Sequence, residues 1–145
     1  AQAQGWHTKA VYDKDTMAIA ARAEAEDARK RAEAEAARIA SIDLMDAKAM
    51  DEEWGLTATS RCDEGVDEYI RTFARYEHKW NSEATGAFGR KFIYVMSSVG
   101  TRGVLTKMTD AAMLQNGFGA YSPVRIYCDF DVRKKAVAGY RYEEN

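Results

Sequence analysis

Side chains that could do chemistry are few in this chain of 145 residues, and their spacing matches no catalytic motif. His7 lies near the N-terminus, and His78 has no His or Cys three or four residues away, so neither has the spacing of a zinc site. Asp129 and Asp131 flank Phe130 without the glycine and final glutamate of an EF-hand loop. We interpret His78 as a surface or helix-end histidine and the two aspartates as solvated carboxylates. We therefore predict no catalytic residue, no metal site and no cofactor, and interpret the chain as a non-enzyme.

Two short segments, 86–91 and 100–103, place glycine beside basic side chains, which is the composition of a phosphate-binding loop. Neither segment follows the spacing of a P-loop or of a dinucleotide-binding turn. We interpret both as helix punctuation, and a small anion- or nucleotide-binding enzyme stays as an alternative function.

Cys62 and Cys128 lie too far apart in the chain to form a CxxC redox pair or a zinc knuckle. Two interpretations stay open: two separate buried thiols, or one disulfide. A disulfide would close a long loop, would stabilise the fold by about 4 kcal/mol, and would need an oxidising compartment. The chain starts at Ala1 rather than Met, and its first three residues resemble the small-residue pattern before a signal cleavage site. These features favour export or an organellar lumen over the cytoplasm.

Charge and hydropathy exclude two classes of protein. Lysine and arginine number 21 against 23 acidic residues, a net charge of −2, so the sequence has no basic field to attract nucleic acid. No apolar run approaches the roughly 20 residues of a membrane-spanning helix. We expect no nucleic-acid partner and no transmembrane span, while a peripheral place at a membrane stays compatible with the composition.

Residues 16–55 predict one long, charged, Ala-rich helix, because no glycine or proline precedes Gly55 in this range. In the range 20–38 every uncharged residue is alanine, and opposite charges recur four residues apart. The high helix propensity of alanine and these charge pairs favour a helix that needs no core beneath it. The preceding residues, 1–15, have no clear period and are predicted to form an extended arm.

The remaining residues, 56–145, are predicted to form a compact helical module. Three segments carry apolar residues at helical spacing: 60–81, 82–99 and 104–116. In residues 124–132 apolar and polar side chains alternate, which indicates a strand, and residues 137–142 are expected to return as its hairpin partner. The predicted fold class is mainly α: a long N-terminal helix, a small three-helix module and a C-terminal β-hairpin or extended tail.

The sequence therefore predicts a non-enzymatic structural or accessory subunit of a large macromolecular assembly. The arm, the charged helix and the hairpin exceed what three short helices can cover, so other protein subunits are the expected partners. One setting is an extrinsic subunit of an organellar membrane complex, such as a photosystem on its side facing the thylakoid lumen; a virion structural protein is the alternative. The residues expected to contact partners are aromatic or basic: Trp6, Tyr12, Arg22, Arg29, Tyr140 and Tyr142.

Overall fold

The computed structural model describes the backbone of residues 2–144 and the side chains of residues 13–144. The chain divides into two units, the residues up to 41 and the residues from 42 onward. The first unit is built on one helix, and the second holds a helix, a sheet and a short helical turn. The elements follow in chain order: α1 Gln2–Ala40, α2 Ala47–Phe73, β1 His78–Trp80, α3 Ser82–Thr85, β2 Tyr94–Val95, β3 Val104–Gln115, β4 Tyr121–Asp131 and β5 Ala136–Glu144.

The fold is α+β, with 45% helix, 28% strand and a five-stranded antiparallel sheet, so the prediction of a mainly α fold is wrong. The segment 104–116, predicted as a helix, contains strand β3, which pairs with β4 along nearly its whole length. The segment 82–99 contains the four-residue α3 and the two-residue β2 instead of a full helix. Strand β3 organises the sheet, because β1, β2 and β4 all pair with it, and β5 follows β4.

Helix α1 begins and ends earlier than the sequence predicts. Residues 2–15 are helical rather than an extended arm, and the helix stops at Ala40 rather than at Gly55. Every side chain from residue 13 to residue 38 is exposed. Within residues 2–144 no helix is both long and apolar enough to cross a membrane.

Two aspartates explain the break between α1 and α2. The Asp43 carboxylate accepts a hydrogen bond from the Met45 N–H at 2.9 Å, and the Asp46 carboxylate accepts one from the Ala49 N–H at 3.1 Å. Side chains that bond the nearby backbone in this way compete with helical hydrogen bonds. Asp46 has extended backbone angles and is the N-cap of α2, so the chain starts a new helix here.

Helix α2 packs on one face of the sheet and covers two clusters of buried apolar side chains. The first cluster joins the middle and end of α2 to β3 and β4, and includes Val66, Ile70 and Ile126. The second joins the start of α2 to the opposite end of the same strands, and includes Met50 and Phe130. Within the second unit, α2 therefore supplies the helical side of both buried clusters.

The predicted C-terminal hairpin is present as β4 and β5, which pair antiparallel from Val124 opposite Glu144 to Asp131 opposite Ala136. Cys62 of α2 and Cys128 of β4 form a disulfide, with their Cα atoms 6.0 Å apart and both residues fully buried. Of the two interpretations of these cysteines, the disulfide is the one that the structure contains. It ties the helix covalently to the centre of the sheet.

Candidate interaction site

The described surface of α1 is charged and stabilised by its own side chains. Arg29 bonds to both Glu26 and Glu33, and Arg38 bonds to Glu35. The hydrogen bond to Glu26 raises the pKa of the Arg29 guanidinium, and the hydrogen bond from Arg38 lowers the pKa of the Glu35 carboxyl. Pairs three or four residues apart hold a helix without tertiary contacts.

Four of the predicted contact residues belong to α1. The side chains of Trp6 and Tyr12 lie outside the described residues. Arg22 is exposed, and Arg29 is exposed but held between two glutamates. Because they are seven residues apart, the two arginines lie on the same side of the helix.

The other two predicted contact residues, Tyr140 and Tyr142, fasten β5 to α2. The Tyr140 hydroxyl donates a hydrogen bond to the Cys62 carbonyl at 2.8 Å, and its ring stacks on Tyr69 with centroids 5.0 Å apart. Burial raises the pKa of Tyr140 to about 12. Tyr142 stacks on Phe73 at 3.8 Å and stays 41% exposed. Tyr140 is therefore a packing residue, and Tyr142 keeps a partly open face.

One flank of α2 holds the irregular chain that leads from β1 to β2. Thr59, Asp63 and Asp67 recur every four residues and so share this flank. The Thr59 hydroxyl donates to the Phe92 carbonyl at 2.8 Å. The Asp63 carboxylate accepts the N–H groups of Lys91 at 3.1 Å and of Phe92 at 3.0 Å. Helix side chains thus satisfy backbone groups that no neighbouring strand pairs.

Asp67 is the centre of the densest polar cluster on this flank. Its carboxylate is 2.7 Å from His78 Nε2, and it accepts hydrogen bonds from Trp80 Nε1 at 2.8 Å and from Lys91 Nζ at 3.2 Å. Burial opposes its ionisation, but the hydrogen bonds from His78, Trp80 and Lys91 outweigh burial and lower its pKa to about 2. The carboxylate is therefore ionised at neutral pH, and its oxygens already accept hydrogen bonds from side chains of the same chain.

This cluster corrects the interpretation of His78 made from the sequence. The His78 side chain is 12% exposed and lies on strand β1 facing Asp67, so it is not a surface or helix-end histidine. Lys91, the last residue of the glycine-rich segment 86–91, bonds to Asp67 and lies 4.6 Å above the Trp80 ring. Its ammonium group is thus engaged with a carboxylate and an aromatic face. The cluster acts as a clamp, which fixes β1 and the 90–92 segment on α2.

The opposite flank of α2 borders an open groove. The groove has a volume of about 580 Å³ and runs between this flank and strand β5. From α2 it is lined by Arg61, Glu64, Gly65, Glu68, Tyr69 and Thr72, and from β5 by Val137, Gly139 and Tyr140. A Cβ atom on Gly65 would lie 2.8 Å from the Tyr140 hydroxyl, so glycine is what lets helix and strand approach so closely here.

The sheet face opposite α2 carries Asp129 and Asp131, the two aspartates that the sequence analysis considered as metal ligands. Asp129 accepts hydrogen bonds from Thr106 at 2.6 Å and from Arg141 at 3.1 Å. Asp131 accepts the backbone N–H groups of Arg133 and Lys134 and so stabilises the turn between β4 and β5. In the part of the chain that is described, no cluster of His, Cys, Asp or Glu is arranged to hold a metal ion.

An ion pair that the sequence did not predict joins a buried lysine of the sheet to a half-buried aspartate of α2. Lys107 of β3 is 4% exposed, and its ammonium group lies 3.0 Å from the Asp51 carboxylate. Gly55, expected to end a helix, lies inside α2 one turn after Asp51. A Cβ atom there would overlap that carboxylate. The glycine therefore provides the space that Asp51 occupies beside the helix.

No protein-family model, no curated protein and no solved structure matches the chain. Three features of the molecule itself bear on its function: the exposed charged helix α1, the clamped flank of α2, and the open groove beside β5.

Proposed function

We propose that this chain is a non-enzymatic structural or accessory subunit of a larger assembly, and that α1 contacts the neighbouring subunits. The observation that carries the proposal is the exposure of every side chain from residue 13 to residue 38 along one continuous helix. In this range only Met17 and Ile19 are large and apolar, so the helix has no continuous apolar stripe to bury in an interior of its own. The length of α1 then allows it to extend to neighbouring subunits and to contact them.

The dimensions and composition of α1 support this role. Its 39 residues extend over about 58 Å. Alanine side chains allow the backbone of a second helix to come close, while the exposed Arg22 offers charged hydrogen bonds to a partner. The ion pairs within α1 keep it helical before a partner binds, which lowers the conformational entropy that binding must remove.

The disulfide supports an assembly in an oxidising compartment. Cytosolic thiols are kept reduced, so structural disulfides belong mostly to exported, periplasmic or organellar proteins. The Cys62–Cys128 bond crosses the core of the second unit, where it stabilises the body that α1 would connect to its neighbours.

Lysine-directed cross-linking and mass spectrometry in the native source test the proposal. Lys14 and Lys30 report on α1, and Lys48 and Lys134, which are also exposed, are matched controls in the second unit. We expect the chain to sediment well above its own mass of 16.3 kDa. Lys14 and Lys30 should link to other proteins more often than the two controls.

Two results would count against the proposal. A chain that sediments at its own mass, with links only among its own lysines, has no assembly. Links to other proteins from Lys48 and Lys134 but not from Lys14 and Lys30 would remove the role given to α1.

A further inference from the structure

The open groove beside β5 suggests what one contact of such an assembly looks like. We infer that β5 accepts an extended segment of a partner protein as an added strand, with basic side chains of that segment directed at the acidic flank of α2. The inference rests on the proposed function for the existence of a partner and goes beyond it by naming the surface and the chemistry of that partner.

Strand β5 has the geometry that strand addition needs. It is the last strand of the sheet and is hydrogen-bonded on one side only, to β4, among the described residues. The backbone N–H and C=O groups on its other side are left for solvent or for another strand. Its sequence has no lysine and no proline, which often protect the edge strands of natural sheets. A shift of register around Ala138 is the single irregularity in its pairing with β4.

The groove would receive the side chains of the added strand. Successive side chains of a strand point to opposite faces, so every second one would face α2. On that side Val137, Tyr69 and Tyr140 wall the recess that such a side chain would enter. Main-chain hydrogen bonds provide affinity in strand addition, and such recesses for alternate side chains provide specificity.

The charge of the flank indicates which side chains fit. Arg61 pairs with Glu64 at 3.3 Å, whereas the exposed Glu68 has no ion-pair partner among the residues that the structure describes. A lysine or arginine of the added strand would neutralise Glu68 at the rim of the groove. A basic occupant is therefore favoured over an acidic one.

The opposite flank of α2 gives an internal precedent for this arrangement. There the carboxylates of Asp63 and Asp67 hold a non-helical segment of the same chain through backbone N–H groups and the Lys91 ammonium. That flank thus already combines helix carboxylates with a non-helical segment and a lysine. The β5 flank has the carboxylates and a free strand edge, and a partner protein would supply the extended segment and its lysine.

The experiment measures binding of a fluorescein-labelled peptide, Gly-Thr-Lys-Thr-Val-Thr-Lys-Gly, to the full chain by fluorescence anisotropy. Its lysines and valine share one face of a strand. Two control peptides replace lysine with glutamate or carry N-methyl groups on alternate amides, which removes backbone donors. We expect the first peptide to bind and both controls to bind at least about tenfold more weakly.

Protein variants locate the bound peptide. Glu68→Lys should weaken binding by about tenfold, and the matched control Glu52→Lys, an exposed residue of α2 outside the groove, should change it less than about twofold. Circular dichroism of each variant checks that the fold is kept.

Several outcomes would overturn the inference. These are no binding of the first peptide, equal binding of the N-methylated or acidic peptide, or equal weakening by Glu68→Lys and Glu52→Lys. Self-association of the chain that the first peptide competes with would assign the edge to a second copy instead. If the chain is found in a native complex but does not bind the peptide, the inference about β5 is refuted and the proposed function is not. If the chain binds the peptide but is a monomer in its source, the proposed function is refuted and the inference about β5 is not.

Discussion

Replacement of the disulfide by two alanines, Cys62→Ala with Cys128→Ala, should destabilise the second unit by about 4 kcal/mol. The bond joins residues separated by 66 positions, and closing a loop of that length removes conformational entropy from the unfolded chain worth about 4 kcal/mol. In urea, where small domains lose about 1–3 kcal/mol per molar, the midpoint should fall by roughly 1–4 M. Near-UV circular dichroism, which reports packed aromatic side chains, follows the transition.

The reduced wild-type protein is the matched control for this double variant. Both lack the bond, but the reduced protein keeps both sulfur atoms in the buried space that Cys62 and Cys128 occupy. We expect its midpoint to lie between those of the oxidised protein and the variant, because the alanines also leave a small cavity. A loss below about 1 kcal/mol on reduction would refute the reasoning, since the unfolded chain would then be little constrained by the bond.

Three further predictions concern charges and helices. Asp67→Asn should lower the free energy of unfolding at pH 7 by about 1–2 kcal/mol, a figure already reduced for solvent screening. The pKa of Asp67 falls on folding from 3.8 to about 2, so its stabilisation is present above 3.8 and should be nearly lost at pH 2 in urea titrations. Asp51→Ala should cost about 2 kcal/mol in thermal melts because it leaves the buried Lys107 ammonium without its partner; this is less than for a fully buried pair, since the Asp51 side chain is 34% exposed. Lys107→Met should cost less than about 1 kcal/mol. Ala28→Gly should reduce helical ellipticity and keep the near-UV signal, while Ala58→Gly, which also removes a buried methyl group, should lower the urea midpoint.

Each of these has a result that would contradict it. If the free energies of unfolding of Asp67→Asn and wild type differ as much at pH 2 as at pH 7, the negative charge of Asp67 is not the source of its stabilising effect. Equal losses of stability for Asp51→Ala and Lys107→Met would mean that leaving the Lys107 ammonium group without an ion-pair partner costs no extra stability. An equal fall in the urea midpoint for Ala28→Gly and Ala58→Gly would mean that the exposed alanine contributes to a packed core.

The sequence predicted those elements whose hydrophobic pattern is not interrupted by polar core residues. In β4 apolar residues alternate without a break from Val124 to Phe130, and the strand and its hairpin partner could be recognised. The charged helix was recognised because alanine and paired charges favour a helix locally. Its end was misplaced because the hydrogen bonds of Asp43 and Asp46 outweigh the helix propensity around them.

Strand β3 was mistaken for a helix because its core face is partly polar. Leu105, Lys107 and Thr109 are buried in alternation, but two of the three are polar, so the alternation is hidden in the hydropathy. A bulge after Thr109, where its hydroxyl accepts the Ala111 N–H, then shifts the register. The apolar residues that remain imitate the spacing of a helix. The sequence held no sign that Asp51 of another element would pair with Lys107.

The clamp around Asp67 could be predicted only in part. Thr59, Asp63 and Asp67 form a visible polar line at four-residue spacing along α2. Their partners, His78 and Lys91, lie in irregular segments whose path depends on the sheet, so sequence spacing alone cannot join them.

The covalent bond between α2 and β4 makes residues 62–128 a closed ring of polypeptide. A protease that cuts the exposed loop around Phe88, or the hairpin tip at Phe118, would therefore open the ring without freeing either piece. The severed molecule would keep its mass apart from one added water, and the two pieces would separate only after reduction.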